Sequence, residues 1–94
     1  MLLRFLHDPD TDLPHIYKHG VSEQEVEDVL RLPQEEGQGK RRARIAIGQT
    51  RAGRFLKVIF APDRFRNGLF VITAYDLGGK ALSAFKRRMR KRRR

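Results

Sequence analysis

The sequence contains no cysteine, which excludes disulfides, thiolate metal sites and a cysteine nucleophile. It also lacks long apolar runs: the longest is about four residues, far below the roughly twenty that span a bilayer. Residues 1–6 are too short for the apolar core of a signal peptide. We therefore expect a soluble, cytoplasmic protein that does not contact membranes.

Negative charge is scarce in the second part of the chain. Residues 40–94 contain eighteen Lys or Arg and two Asp or Glu, whereas residues 1–39 contain three and nine. Residues 86–94 carry eight positive charges and no negative one. A dense cationic surface favours polyanions because neutralising phosphates releases condensed counterions. The predicted nucleic-acid-binding residues are Lys40, Arg41, Arg42, Lys86, Arg87, Arg88, Arg90 and Lys91.

The acidic first part predicts one edge strand and two helical segments. Residues 2–6 are typical of an edge strand that ends at an Asp-Pro turn. A short helical or turn segment over residues 13–19 should end at Gly20, which can adopt the left-handed conformation at low cost. Ser22 and Glu25 have the spacing of a capping box and predict the start of a second helix.

The basic part predicts a mobile loop followed by three strands. Residues 34–42 include two glycines and no apolar residue, which is typical of a loop. Alternating or continuous apolar patterns predict strands over about residues 42–49, 54–61 and 69–75. Residues 50–53 have the composition of a hairpin turn between the first two of these strands.

These elements together predict one small α+β domain over residues 1–94. Its N-terminal helices should pack on a three- to four-stranded antiparallel sheet. A last helix should begin near Lys80 and continue into residues 86–94 as a basic helical tail. One face of the sheet should be covered by the helices, while the other should be partly open.

Several short motifs follow one another along most of the chain. They are Asp8-Pro9, Lys18-His19-Gly20-Val21-Ser22, Glu25-Val26, Val29-Leu30, residues 42–50, residues 53–60 and Ile72-Thr73-Ala74. In this order they resemble the BrnT-like toxins and a related uncharacterised group, both of the RelE-like ribonuclease superfamily. The resemblance implies a RelE-like fold, an endoribonuclease that cleaves messenger RNA, and a cognate antitoxin encoded beside it. One departure is that BrnT-like sequences continue past the last motif with arginines, whereas this chain continues with Tyr75-Asp76-Leu77.

Metal-independent RNA cleavage requires a base, an acid and fixed cations around a transition state that gains negative charge, and it uses no cofactor. Arg44 and Arg54 are the candidate phosphate ligands because they lie on predicted strands and arginine binds phosphate bidentately. Lys57 is a candidate cation or acid, and His19 and Tyr75 are candidates for proton transfer. We expect the strands to bring Arg44, Arg54 and Lys57 to the open face of the sheet or near it.

Each of these residues also has a simpler interpretation. The two arginines would serve as solvated surface residues, Lys57 would extend past apolar neighbours to water, and Tyr75 would cover part of the core. His19 would interact with the end of a helix. His15 and His19 are four residues apart and could in principle hold zinc on one helix face, but Gly20 follows directly, so we predict no metal site.

Three functions are therefore open from the sequence. The first is a ribonuclease toxin, and the second is a nonenzymatic RNA- or ribosome-binding protein that uses the same basic surface. The third is a module whose basic end binds an acidic protein. Cationic residues on predicted strands favour the first function, while the absence of an arginine beside Tyr75 favours the second.

Overall fold

A computed structural model describes residues 1–93 of the chain. Its strands are β1 (Leu3–Phe5), β2 (Glu35–Gln38), β3 (Arg44–Gln49), β4 (Phe55–Pro62) and β5 (Leu69–Asp76). Its α-helices are α1 (Glu23–Arg31) and α2 (Gly79–Arg92), and a 3-10 helix spans His15–His19. The strands form one sheet in the order β1-β5-β4-β3-β2, so the α+β class is confirmed.

The start of α1 confirms the predicted capping box. The Ser22 hydroxyl accepts a hydrogen bond from the Glu25 backbone N–H, and the Glu25 carboxylate accepts one from the Ser22 N–H. Gly20 ends the 3-10 helix with φ of 67°, which glycine adopts without steric cost. These local signals fix where the chain turns from the 3-10 helix into α1.

The sheet differs from the prediction in two ways. It has five strands instead of three or four, and it is mixed, because β1 pairs with β5 in parallel. The additional strand is β2, which lies within the stretch predicted to be a mobile loop and pairs antiparallel with β3. Edge strands often carry charged residues, and β2 contains no apolar residue, so the hydrophobic pattern could not reveal it.

The first face of the sheet packs against the 3-10 helix and α1. Ile16, Val26 and Val29 from these helices are buried against the sheet. Their partners on the strands are Ala46, Leu56, Val58, Phe60, Val71 and Ala74. This cluster forms the larger part of the core.

The second face is covered in part by α2. Phe85 of α2 is buried against Ile47 and Leu77, and its ring meets the ring of Phe55 edge-on at 5.9 Å between centroids. Replacing Phe85 with alanine would cost about 3 to 5 kcal/mol of stability. Because α2 lies over β3 and the start of β4, it leaves part of this face uncovered. The half-buried residues that remain there, which we call the uncovered strip, are Lys57, Ile59, Ala61, Phe70, Thr73 and Tyr75.

Candidate functional site

Arg54 lies directly before β4 and is bound by groups from three other parts of the fold. Its Nε and Nη2 atoms donate to the two carboxylate oxygens of Asp76 at 2.6 and 2.9 Å. Its Nη1 atom donates to both carboxylate oxygens of Glu25, each at 3.1 Å, and to the backbone oxygen of Gly20 at 2.8 Å. A longer bond of 3.4 Å joins Nη2 to the backbone oxygen of His19. The guanidinium of Arg54 is therefore occupied by the protein itself.

The charges around Arg54 support the same conclusion. Its guanidinium lowers the pKa of Asp76, and the pKa of Glu25 is lowered first by the backbone N–H of Ser22 and also by Arg54. The two carboxylates in turn raise the pKa of Arg54 above its ordinary value. At neutral pH one cation is therefore matched with two anions, which leaves little attraction for a phosphate.

Lys57, Tyr75 and His19 come together at one end of the uncovered strip. Lys57 of β4 is paired directly with Tyr75 of β5, so both side chains leave the sheet on its second face. The ring of His19 meets the ring of Tyr75 edge-on at 5.8 Å between centroids. Lys57 also lines a shallow groove with Glu35 and Arg88, next to α2. Tyr75 thus neighbours two other predicted catalytic residues, His19 and Lys57.

His15 and Asp8 extend this cluster, and the sequence analysis did not assign them a role there. The ring of His15 lies 5.2 Å from the ring of His19. The Nδ1 atom of His15 is 2.8 Å from a carboxylate oxygen of Asp8, whose side chain is only 12% exposed. The hydrogen bond to His15 is the main cause that lowers the pKa of Asp8, and Lys18 contributes as well. No sequence signal identifies this pair, because residues 8–14 form turns and an isolated bridge and not a regular element in which a seven-residue spacing would have meaning.

Arg44 lies far from this cluster. It is paired with Phe60 and shares the first face of the sheet with Ala46, at the end of β3 opposite to the turn before Arg54. Five residues of strand separate the level of Phe60 from that of Phe55, or about 17 Å. The expectation that Arg44, Arg54 and Lys57 lie at or near one open face is therefore wrong. Arg44 and Arg54 are two residues before Ala46 and Leu56, which point to the first face, whereas Lys57 points to the second.

Two basic surfaces flank the sheet. Lys40, Arg41 and Arg42 form an exposed turn next to Arg44, at one corner of the molecule. The other surface is the exposed side of α2, which contains Lys86, Arg87, Arg88, Arg90 and Lys91. Arg94, the last residue of the predicted tail, lies outside the described residues.

The basic residues of α2 differ in how they are bound. Arg88 donates to both carboxylate oxygens of Glu35 at 2.8 Å, and Arg92 is 3.0 Å from the same carboxylate. Lys86 lies over the ring of Phe55 at 5.3 Å. Within residues 1–93, Arg87, Arg90 and Lys91 form no ion pair, so they are available to an external anion.

Comparisons with known proteins identify no relative: no protein-family model, no curated protein and no solved structure matches the chain. Over residues 1–93, no helix is long and apolar enough to cross a membrane. In the same range, His, Asp and Glu do not gather into a group of three or more that could hold a metal ion.

Proposed function

We propose that the protein is a small, basic, metal-independent endoribonuclease with a RelE-like fold, the toxin of a toxin–antitoxin pair, which cleaves messenger RNA. The observation that carries the proposal is the contact between His19 and Tyr75 beside Lys57 on the uncovered strip. Groups suited to proton transfer and a cation lie together there, next to the basic helix α2. This combination matches what cleavage through the 2′-hydroxyl requires.

The reaction follows from these groups. A neutral imidazole removes the proton of the 2′-hydroxyl, and the 2′-oxygen forms a bond to phosphorus. The bond from phosphorus to the 5′-oxygen breaks, and an acid supplies the proton that this oxygen takes up. The products are a 2′,3′-cyclic phosphate and a free 5′-hydroxyl. In this scheme His19 is the base, Tyr75 is the acid, and Lys57 stabilises the negative charge that develops on the phosphate oxygens.

Arg54 has a different role from the one that its position in the sequence indicated. Because its donors are used by Asp76, Glu25 and the end of the 3-10 helix, it holds the backbone of Gly20 and His19 against the sheet. In the proposed enzyme it positions His19 and does not contact the phosphate.

A second candidate function is nonenzymatic RNA or ribosome binding through the same basic surface. The observation that favours it is that the guanidinium of Arg54 is fully engaged by the protein. In addition, the chain continues with Tyr75-Asp76-Leu77 where the BrnT-like resemblance implies arginines. In this case α2 and the turn Lys40–Arg42 would bind phosphates, and no reaction would follow.

Cleavage assays with purified protein and messenger RNA in the presence of EDTA distinguish the two functions. We expect Lys57→Ala and Tyr75→Phe each to lower the cleavage rate about 100-fold or more while most of the RNA affinity is kept. Tyr17→Phe is the matched control for the hydroxyl, because Tyr17 bonds to Glu23 on the helical side. Lys80→Ala is the control for the charge, because Lys80 is exposed at the start of α2.

The toxin assignment is tested in bacteria by inducing the protein with and without the neighbouring gene. Growth should stop only when that gene is absent, and Lys57→Ala should abolish the inhibition. Wild-type protein that binds RNA yet leaves free and ribosome-bound messenger RNA uncut, with or without added divalent metal, would establish the binding function instead.

A further inference from the structure

The loop between β4 and β5 exposes an aromatic side chain. Phe65 is 83% exposed, the highest value among the large hydrophobic residues of the described chain. Phe65 lies between Arg64 and Arg66, which are both exposed. Exposure of a phenylalanine ring to water is unfavourable, but single exposed apolar side chains are common on protein surfaces, so the surroundings of the ring decide whether it marks a site.

The backbone of the loop is fixed by hydrogen bonds although Phe65 itself is exposed. The Asp63 side chain is 1% exposed, and it accepts two bonds from the guanidinium of Arg4, at 2.9 and 3.1 Å. The same carboxylate accepts the backbone N–H of Phe65 at 3.0 Å. The backbone N–H of Asp63 donates to the oxygen of Gly68, also at 3.0 Å. The ring is thus presented by an ordered turn.

Gly68 closes this turn against the first residues of the chain. A Cβ atom at Gly68 would lie 2.4 Å from the backbone oxygen of Leu2, so only glycine permits the approach. The backbone N–H of Gly68 also donates to the oxygen of Arg66 at 2.9 Å. Because the turn is held from both ends, little conformational entropy would be lost when Phe65 binds a ligand.

Arg4 joins Phe65 to the uncovered strip. Its guanidinium carbon lies 4.4 Å from the ring centroid of Phe70 and 5.6 Å from that of Phe65. Phe70 belongs to the uncovered strip and pairs with Ala61. The rings of Phe65 and Phe70 and the planar guanidinium of Arg4 therefore form one adjoining surface.

We infer that the loop around Phe65 is a base-stacking site for single-stranded nucleic acid. Every base has a π-face that stacks on an aromatic ring, and neighbouring arginines neutralise the adjoining phosphates. The one carboxylate of the loop, Asp63, is bound by Arg4 and does not repel phosphate. A protein partner would need a continuous apolar patch, but Phe65 is flanked by Arg64 and Arg66, and the charged guanidinium of Arg4 lies against its ring and against that of Phe70.

The position of the loop relates this site to the proposed reaction. Pro62 and Lys57 are five residues apart on β4, which is about 17 Å along the strand. Ala61 and Ile59 lie between them on the uncovered strip. A single-stranded RNA with one base stacked on Phe65 would reach Lys57 and Tyr75 within a few nucleotides. This link rests on the proposed function, whereas the stacking site itself does not.

The test uses a probe that the proposed reaction cannot cleave, a labelled single-stranded oligonucleotide with 2′-O-methyl riboses. We expect Phe65→Ala to weaken binding about 5- to 100-fold, and Phe65→Tyr, which keeps the ring, to bind like the wild type. Leu32→Ala is the matched control. Leu32 is also strongly exposed, at 79%, but it lies between Arg31 and Pro33 and not between two arginines. We expect it to leave the affinity unchanged.

Salt dependence separates stacking from charge. Phe65→Ala should leave the slope of log affinity against log salt unchanged, because no phosphate contact is removed. Arg64→Ala and Arg66→Ala should each reduce the slope by about 0.7, the value for one phosphate of a single strand. The affinities and salt slopes of these variants together identify the Phe65 ring and the two arginines as two parts of one site.

Unchanged affinity in Phe65→Ala would overturn the inference. If the same variant instead altered the oligomeric state in sedimentation, the ring would be assigned to a contact between protein copies. The outcome is independent of catalysis: a wild-type protein that cleaves nothing but loses probe affinity in Phe65→Ala contradicts the nuclease and keeps the stacking site. A Phe65→Ala protein that cleaves RNA normally and binds the probe normally contradicts the stacking site and keeps the nuclease.

Discussion

Arg54 and Asp76 form a two-point ion pair, with donor–acceptor distances of 2.6 and 2.9 Å, that joins the start of β4 to the end of β5. The same guanidinium also holds Glu25 of α1 and the backbone of Gly20. One arginine thus connects the sheet, α1 and the 3-10 helix that carries His19. This connection ties the backbone of His19 to the sheet that carries Tyr75.

We expect Arg54→Ala to lower the free energy of unfolding by about 2 kcal/mol, because two carboxylates lose a charged hydrogen-bond donor. The loss should be smaller than that of a fully buried pair, since the Asp76 side chain is 60% exposed. Urea denaturation measures it. Arg51→Ala is the control: Arg51 is exposed in the adjacent turn, and its contact with Asp28 is made by the backbone. An equal loss in the two variants would contradict the structural role of Arg54.

Stability should fall as the pH is lowered below about 4. The pKa values of Asp76 and Glu25 are lowered in the folded protein, so their contribution is present above their ordinary pKa values. It is lost as the pH falls through the lowered values and the carboxylates take up protons. Denaturation midpoints measured between pH 7 and pH 3 should therefore decrease less in Asp76→Asn than in the wild type. Identical slopes would show that Asp76 does not contribute to the acid sensitivity.

Local signals in the sequence were sufficient to predict most elements of the fold. The capping box of Ser22 and the glycine after His19 act within a few residues, and the strands around Val58 and Val71 follow from continuous apolar patterns. Strand β2 and the parallel direction of β1 were missed because both depend on pairing between distant segments. No local pattern encodes the choice of a pairing partner.

The candidate site was predicted in part, for the same reason. Lys57 and Tyr75 were selected by residue type and come together because strand register pairs them. The carboxylate partners of Arg54 are 22 and 29 residues away in the sequence, so residue spacing could not predict that its guanidinium is bound within the protein. The pair of Asp8 and His15 depends on how the loop after β1 folds back onto the 3-10 helix.

Removing residues 90–94 should weaken RNA binding broadly, without changing sequence preference, and flatten the dependence of affinity on salt. Arg90 and Lys91 form no ion pair within residues 1–93, and the apolar stripe of α2 ends near Met89. Titrations of single-stranded RNA at several salt concentrations measure both effects. A slope equal to that of the full chain would exclude the tail from the binding surface.

Neutralising Glu35 should have the opposite effect. Its carboxylate binds Arg88 and Arg92, and Arg88 is the main cause that lowers the pKa of Glu35. In Glu35→Gln both arginines become available to phosphate, so RNA affinity should rise and the salt slope should steepen by about one unit or more. Glu36→Gln is the matched control, because Glu36 is exposed and points to the other face of β2. The same increase in both variants would show that only net charge matters.

Asp8 should affect catalysis through His15. The Nδ1 atom of His15 lies 2.8 Å from the Asp8 carboxylate, which fixes the ring beside His19. We expect Asp8→Asn to lower kcat about 10-fold with little change in KM. The ring of His15 loses the carboxylate that orients it beside His19, while the RNA-binding surfaces are unaltered. Asp10→Asn is the control, since Asp10 is exposed and reaches only Lys18, at 4.0 Å.

A double-mutant cycle tests whether Asp8 acts through His15 or independently. If Asp8 works by orienting that ring, cleavage by Asp8→Asn/His15→Gln should be no slower than cleavage by His15→Gln alone. Denaturation midpoints of the same four proteins show whether the loss of rate follows a loss of stability. A further 10-fold loss in the double variant, with equal midpoints, would mean that Asp8 acts on the reaction directly and that His15 is not its intermediary.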